Sequence, residues 1–502
     1  MNLKKNIFAS YASQIYVTAV GIVTVPLYMQ YMGAEAYGLV GFFAMLQAWF
    51  SILDMGLTPT IARETARFNS GAISLLEYRR LARALEGIFV VLALVGGTSL
   101  FVLARPIAAQ WLNANSFPVS ELTLALQIMA VIVALRWMCG LYRGVITGTE
   151  RLVWLSGFNS IINTARFIII LPILIFVSAT PKTFFLFQLA VAVLELGGLA
   201  FMAYRLMPII PLGKRVVWNW APMKPVIFFS FSIAFSSIVW VIITQIDKLL
   251  LSKFLTLENY GIYTLAVVAA GGLLVISSPV GQALMPRMSK LSAEKNEGEL
   301  IKIYKLASQF VANIVFPAMF TLVFYSEEIL TIWTSNSELS VKSSPIFILY
   351  AIGNGVLALG AFPYYLQYSK GDLRLHTIGN LIFLIAIVPT SYFIAKNFGA
   401  IGAGYVWLFF NVSYFILWTP LVHRRFIKGM HVEWMIDIIK IFLSTLFATY
   451  LFSNIFKISE YRLAGLFEII SIYIIITMAG LMSIKSVRSS ATLFFKRKFK
   501  LI

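Results

Sequence analysis

The chain has 502 residues, of which 60% are hydrophobic and only 12% charged, about half the charged fraction of an ordinary water-soluble domain, so water is excluded as its main solvent. The net charge of +19 is what a partner of nucleic acid or of an acidic substrate would carry, so each basic residue has to be located before the excess is interpreted.

Apolar runs of about 20 residues, each able to cross a hydrocarbon layer of roughly 30 Å as a helix, are expected at 6–30, 37–60, 84–104, 121–146, 151–178, 182–206, 225–250, 259–284, 301–324, 343–366, 372–396, 400–423, 434–454 and 462–484. Stretches such as 89–102 and 469–480 do not alternate apolar with polar residues as the strand of a membrane barrel must. The expected fold class is therefore all-α: a polytopic membrane protein of about fourteen transmembrane helices. Lys4 and Lys5 precede the first run, but that run continues past Tyr28 without a short apolar core and small-residue cleavage site, so it is expected to be an uncleaved helix rather than a signal peptide. Cys139, the single cysteine, falls inside an apolar run, which excludes an internal disulfide and a paired-cysteine metal site.

If the N-terminus is cytoplasmic, 29 of the 40 basic residues fall in inner segments and seven in outer loops, with Arg136, Arg166, Lys248 and Lys440 inside the membrane. This is the positive-inside pattern; it explains most of the charge excess, places both termini in the cytoplasm and makes nucleic acid an unneeded partner. The longest loops, 61–83, 205–224 and 285–300, are too short to fold as separate domains.

Comparison of the chain with itself reveals matches at offsets of 221 to 224. Tyr37-Gly38 recurs as Tyr260-Gly261, Gly148-Thr149-Glu150-Arg151-Leu152 as Gly371-Asp372-Leu373-Arg374-Leu375, Trp111 as Trp333 and Arg63 as Arg287. Six crossings per copy is an even number, so two copies of one unit would run in the same direction, related by an axis along the membrane normal. The expected organisation is a six-helix bundle over 1–206, a second over 225–423, and two added helices with a basic tail over 424–502.

Polar residues then mark the faces that avoid lipid. Gln47, Ser51, Asp54 and Thr58 would share one face of the second helix, and Ser156, Asn159, Ser160, Asn163 and Arg166 one face of the fifth. Smaller sets are Asn6, Ser10 and Gln14 on the first helix, Ser237, Thr244 and Lys248 beside Asp247 on the seventh, and Gln309 and Asn313 on the ninth. Hydroxyls and amides in such stripes serve equally well as interhelical hydrogen bonds. Charges do not, because each costs at least roughly 2.5 kcal/mol at bilayer depth. Arg136, Arg166, Lys248, Asn159 and Asn163 are therefore candidates for binding substrate, and Asp54, Glu195 and Asp247 for coupling or for lining a cavity, while Arg166 and Glu195 could instead neutralise each other. His376, His423 and His431 have no partner at metal-ligand spacing, no phosphate-binding glycine loop is present, and neither a catalytic constellation nor a cofactor is expected.

The opening Asn6 to Gly33, Gly33-Ala34-Glu35-Ala36-Tyr37-Gly38, Asp54-Met55-Gly56-Leu57 running into Arg63, Gly148-Thr149-Glu150-Arg151 and Met285-Pro286-Arg287 resemble the polysaccharide-export flippases of the MATE-like superfamily, which translocate undecaprenyl-diphosphate-linked O-antigen units. The resemblance covers about residues 1–425. It implies fourteen helices in two bundles, a cationic cavity for the pyrophosphate and sugars, location in a bacterial inner membrane, and partners comprising the lipid-linked oligosaccharide, membrane lipids, a polysaccharide polymerase and a chain-length factor. Asp54 and Arg63 map onto the family's second-helix pattern, and Arg166 onto its habit of placing basic residues in the cavity. The competing expectations are a drug or metabolite exporter, a peptidoglycan-precursor flippase, and a membrane glycosyltransferase or polymerase, the last disfavoured by the short outer loops.

Overall fold

The computed structural model describes residues 3–209, 224–459 and 461–483. Among these the regular elements are helices, with one isolated bridge between Asn113 and Thr256.

Helix α1 spans Leu3–Phe50, 48 residues, or about 72 Å at 1.5 Å per residue, twice what one crossing needs. It bends at Gly33, whose φ of 84° an L side chain rarely adopts. The first two expected spans are thus joined with almost no loop. After Phe50 a 3-10 turn, Ser51–Asp54, is followed by left-handed Met55 and Gly56, and only then by α2, Leu57–Asn69. The expected continuous helix over 37–60 is therefore broken. Gln47, Ser51, Asp54 and Thr58 do not form one helical stripe, because the reversal at 55–56 resets the helical phase.

The chain continues through α3 (Leu75–Pro106), α4 (Val119–Gly148) and α5 (Leu152–Thr164), which passes through a π-turn at Ala165–Ile169 into α6 (Ile170–Phe176). Next come α7 (Pro181–Leu206) and α8 (Lys224–Phe254). These elements belong to a compact unit over 1–261. Within it α4 packs one face on α2: a Cβ added at Gly140, Gly144 or Gly148 would meet Thr58, Ile61 or the Ala62 carbonyl, so the missing side chains let the backbones approach closely. At the start of α1's second arm, just after the bend, the places where Cβ atoms would stand on Gly38 and Gly261 face the carbonyls of Leu257 and Ala34 respectively. The contact is reciprocal between positions 223 apart, the same offset as the sequence repeat.

The second unit covers 262–502 and receives α9 (Leu257–Ala293), which begins before the boundary. It continues with α10 (Glu297–Phe324), the short α11 (Ser326–Thr334) and α12 (Ser337–Ser369). Helix α13 (Arg374–Ser413) bends at Gly399 and runs through a π-turn at Tyr414–Trp418 into α14 (Thr419–Phe426), followed by α15 (His431–Ile455) and α16 (Arg462–Ser483). Helix α10 carries the added pair α15 and α16: Gln309 donates to Asp437 at 3.0 Å and Asn313 to the Thr477 carbonyl at 3.2 Å.

Eleven helical stretches among the described residues are long and apolar enough to span a membrane. Two of them, Phe8–Asp54 and Arg374–Phe426, run 47 and 53 residues and suffice for two crossings each. With α8, 31 residues long, the total is about fourteen.

Candidate functional site

The charged cluster in the first unit is assembled by three helices. Arg136 and Arg143 lie seven residues apart on α4, two helical turns, and so share a face. Glu195 lies near the middle of α7, and Arg166 on the π-turn after α5. A π-turn widens the helix by one residue and redirects side chains, a distortion common at functional sites.

Glu195 is only 3% exposed. One carboxylate oxygen accepts from Arg143 at 2.6 Å and the other from Arg166, so the acid is clamped between two guanidiniums. Arg136 has no carboxylate within ion-pair distance among the described residues. It donates to the side-chain oxygens of Gln47 at 2.9 Å and Gln188 at 2.8 Å, and its guanidinium lies 5.2 Å from the centre of the Phe43 ring. Gln188, 2% exposed, also donates to the Arg166 carbonyl at 2.8 Å, which ties Arg136 to the π-turn. Three guanidiniums and one carboxylate leave this network with a net charge of +2. A low-dielectric surrounding makes such an excess costly unless an anion or water completes it.

Beside it lies a cavity of about 320 Å³ between α1 and α5, into which Arg143, Asn159, Asn163, Ser10 and Gln14 project. Asn163 donates to the Asn159 carbonyl at 2.7 Å and stands 3.5 Å from Arg166, while the buried side-chain oxygen of Asn159 has no hydrogen-bond partner. The rest of the α5 stripe is used for packing: Ser13 on α1 donates to the Ser156 carbonyl at 2.9 Å and lies 3.0 Å from the Ser160 hydroxyl.

The structure thus brings together Arg136, Arg166, Glu195, Asn159 and Asn163. It leaves Lys248 with its own helix, where the ammonium donates to the Thr244 carbonyl at 2.7 Å and sits 3.4 Å from Asp247. Asp54 occupies the break before α2, accepting from the Thr58 backbone N–H at 3.2 Å and the Thr58 hydroxyl at 2.5 Å, as a helix cap does. Arg143 was hidden from the sequence by its position, five residues before the end of α4 and among the basic residues of an inner loop. Its signal is the seven-residue spacing from Arg136. Outside this cluster, His423 and His431 are also brought together, their Nδ1 atoms 2.9 Å apart, with Tyr304 on the other nitrogen of His423 at 2.7 Å. No group of three or more metal-binding side chains forms among the described residues.

Among solved structures, the fold is similar to "Lipid II flippase MurJ, inward closed conformation", at a TM-score of 0.70 and 14% identity over 93% of this chain and 97% of that one. It is also similar to a multidrug resistance MATE family transporter of the MOP superfamily, in its inward-facing conformation, at a TM-score of 0.66 and 12% identity over 82% and 94% of the two chains. A putative O-antigen transporter of Shigella flexneri is 21% identical over 75% of this chain and 87% of its own length. One of Salmonella typhi is 22% identical over 83% and 95%. Residues 3–292, more than half of the chain, match the family described as "Polysaccharide biosynthesis protein", and with the helical architecture already in place this chain belongs to that family.

Proposed function

We propose that the protein is a flippase that carries an undecaprenyl-diphosphate-linked oligosaccharide, a surface-polysaccharide repeat unit, from the cytoplasmic to the outer face of a bacterial inner membrane. The observation that carries this is the arginine network of net charge +2 assembled on the membrane-spanning helices around the buried Glu195. A diphosphate diester brings two anionic phosphates into a layer that cannot hydrate them, and guanidinium forks replace that hydration with charge-assisted hydrogen bonds. Arg143 and Arg166 are held in place by Glu195, and Arg136 by two amides, so the cations are positioned before the anion arrives. The Asn159 and Asn163 amides in the adjoining cavity suit sugar hydroxyls. The relatives described as O-antigen transporters support a sugar-bearing lipid as the cargo.

Under this proposal the protein transports and does not catalyse; two bundles expose the site to each side of the membrane in turn, with the internal repeat as support for that symmetry. The termini lie in the cytoplasm, supported by the 29 to 7 distribution of basic residues. The function is tested in a host deleted for the gene. Lipid-linked intermediate should accumulate on the cytoplasmic face, and wild-type protein but not the Arg136→Gln, Arg143→Gln double variant should relieve it. Relief by the double variant at equal abundance would remove the network from the proposal. Orientation is tested separately in a Cys139→Ala background with single cysteines at Ser70 and Ser337, both exposed, which should label from inside and outside respectively.

A further inference from the structure

A second polar cavity, of about 250 Å³, lies between α3, α4 and α7 and shares no lining residue with the cavity beside Arg143. It is lined chiefly by Arg79, Arg83, Glu86, Tyr142, Tyr204 and Met207. Arg79, Arg83 and Glu86 follow one another at intervals of four and three on α3, so they stand on one helix face. One oxygen of Glu86 accepts from both tyrosines, from Tyr142 at 2.8 Å and Tyr204 at 2.6 Å. The acid is engaged with hydroxyls, and neither Arg79 nor Arg83 has a carboxylate within ion-pair distance among the described residues. Arg79 donates instead to the Met207 sulfur at 3.1 Å, a weak acceptor, and its buried Nε has no partner.

The surroundings point to what completes these two cations. Tyr204, 48% exposed, ends a stripe on α7 formed by Leu194, Gly197 and Phe201 at intervals of three and four residues. Leu194 is 66% and Phe201 70% exposed, and nothing stands within 4 Å of where a Gly197 Cβ would be. The polar cavity therefore sits at the head of an apolar, shallow, lipid-facing track, at the end of α7 that the proposed orientation places on the cytoplasmic side. Basic pockets between transmembrane helices at that depth are suited to anionic headgroups.

We infer that this cavity is a binding site for the phosphodiester headgroup of an anionic glycerophospholipid of the inner leaflet, with one acyl chain lying along Leu194, Gly197 and Phe201. The phosphate accepts from Arg79 and Arg83, and Tyr204 swings between Glu86 and the headgroup. The leaflet assignment rests on the orientation proposed above; the site itself does not rest on the cargo, and the test reads lipid retention without any transport.

Purified full-length protein in neutral detergent is titrated with dioleoyl phosphatidylglycerol or dioleoyl phosphatidylcholine, and bound lipid is counted by native mass spectrometry. Wild type should retain phosphatidylglycerol preferentially, and Arg79→Gln with Arg83→Gln should weaken that retention about tenfold or more. Arg83→Gln alone, at an exposed position, should give an intermediate loss and guards against misfolding of the double variant. No preference for phosphatidylglycerol in wild type, or full preference in both variants, would overturn the inference. A third arm adds millimolar inorganic phosphate. If it displaces the lipid completely, the cavity takes a soluble anion and the lipid assignment is wrong; persistence of the lipid supports it.

Discussion

The two units handle buried polarity differently. In the first, the acids Glu64, Glu195 and Asp247 are all buried, and Glu195 is enclosed by arginines. In the second, the buried polar residues among those described are neutral, apart from the titratable His423. Asn354 on α12 donates to the Ala270 carbonyl of α9 at 3.0 Å and accepts from the Trp407 indole of α13 at 3.0 Å, and the Tyr263 and Tyr350 hydroxyls lie 3.1 Å apart. Of the second unit's ion pairs, Arg425 with Asp372 stands at a helix end, Lys305 with Glu433 within the first turns of α10 and α15, and Lys440 with Asp437 on α15 with both side chains partly exposed. A neutral network leaves no net charge to be compensated; an arginine network with one acid leaves an excess of cations. Net charge in the interior is thus what distinguishes the two units, and it is the feature on which the proposed anion site rests.

The sharpest way to break this comparison is Glu195→Gln. Removing the one acid leaves two partly buried guanidiniums uncompensated, at 32% and 17% exposure, so the cost should approach, without reaching, the figure of about 3–5 kcal/mol for breaking a fully buried pair. Inserted protein should fall and the apparent melting temperature in detergent should drop, with partial recovery in Glu195→Gln, Arg143→Gln. Unchanged melting would mean that water already shields the arginines.

A somewhat smaller effect is expected from Arg166→Ala, read as transport per inserted molecule. Loss of a charge-assisted contact of about 1.5–3 kcal/mol corresponds to roughly 10- to 150-fold weaker use of substrate, and Arg166→Lys should keep part of it because the charge survives without the fork. Lys440→Ala in the second unit, at an exposed side chain, should stay within about twofold of wild type. Equal losses at both positions would erase the asymmetry.

Asn354→Ala sharpens the opposite side. It strips partners from Trp407 and the Ala270 carbonyl, which should cost about 1–3 kcal/mol of stability while transport per folded molecule is retained. A transport defect at normal stability would make the neutral network part of the site.

The smallest effect is expected at Asp54. As a cap, its replacement by Asn, which keeps one accepting oxygen, should cost no more than about 1 kcal/mol and leave sensitivity of transport to an uncoupler unchanged. Normal abundance with lost uncoupler sensitivity would instead assign Asp54 to proton coupling.

The sequence by itself determined the solvent, the helical class and the number of crossings, because apolar run length and the bilayer's thickness are local, one-dimensional constraints. It also marked Arg136, Arg166 and Glu195 as costly and in need of partners. Which partners they take was decided only by tertiary structure. Arg143 was indistinguishable from a loop-flanking cation until α4 and α7 were set side by side, and the pairing of Glu195 with two arginines depends on side chains 52 and 29 residues away from it. The stripe on the second helix failed for a local reason: periodicity carries over only while φ and ψ stay helical, and Met55 and Gly56 leave that region. Likewise Gln309 and Asn313 were legible only as avoiding lipid, and the structure shows that they bind α15 and α16, because a helix face shows that it avoids lipid without showing whether water, substrate or another helix lies opposite.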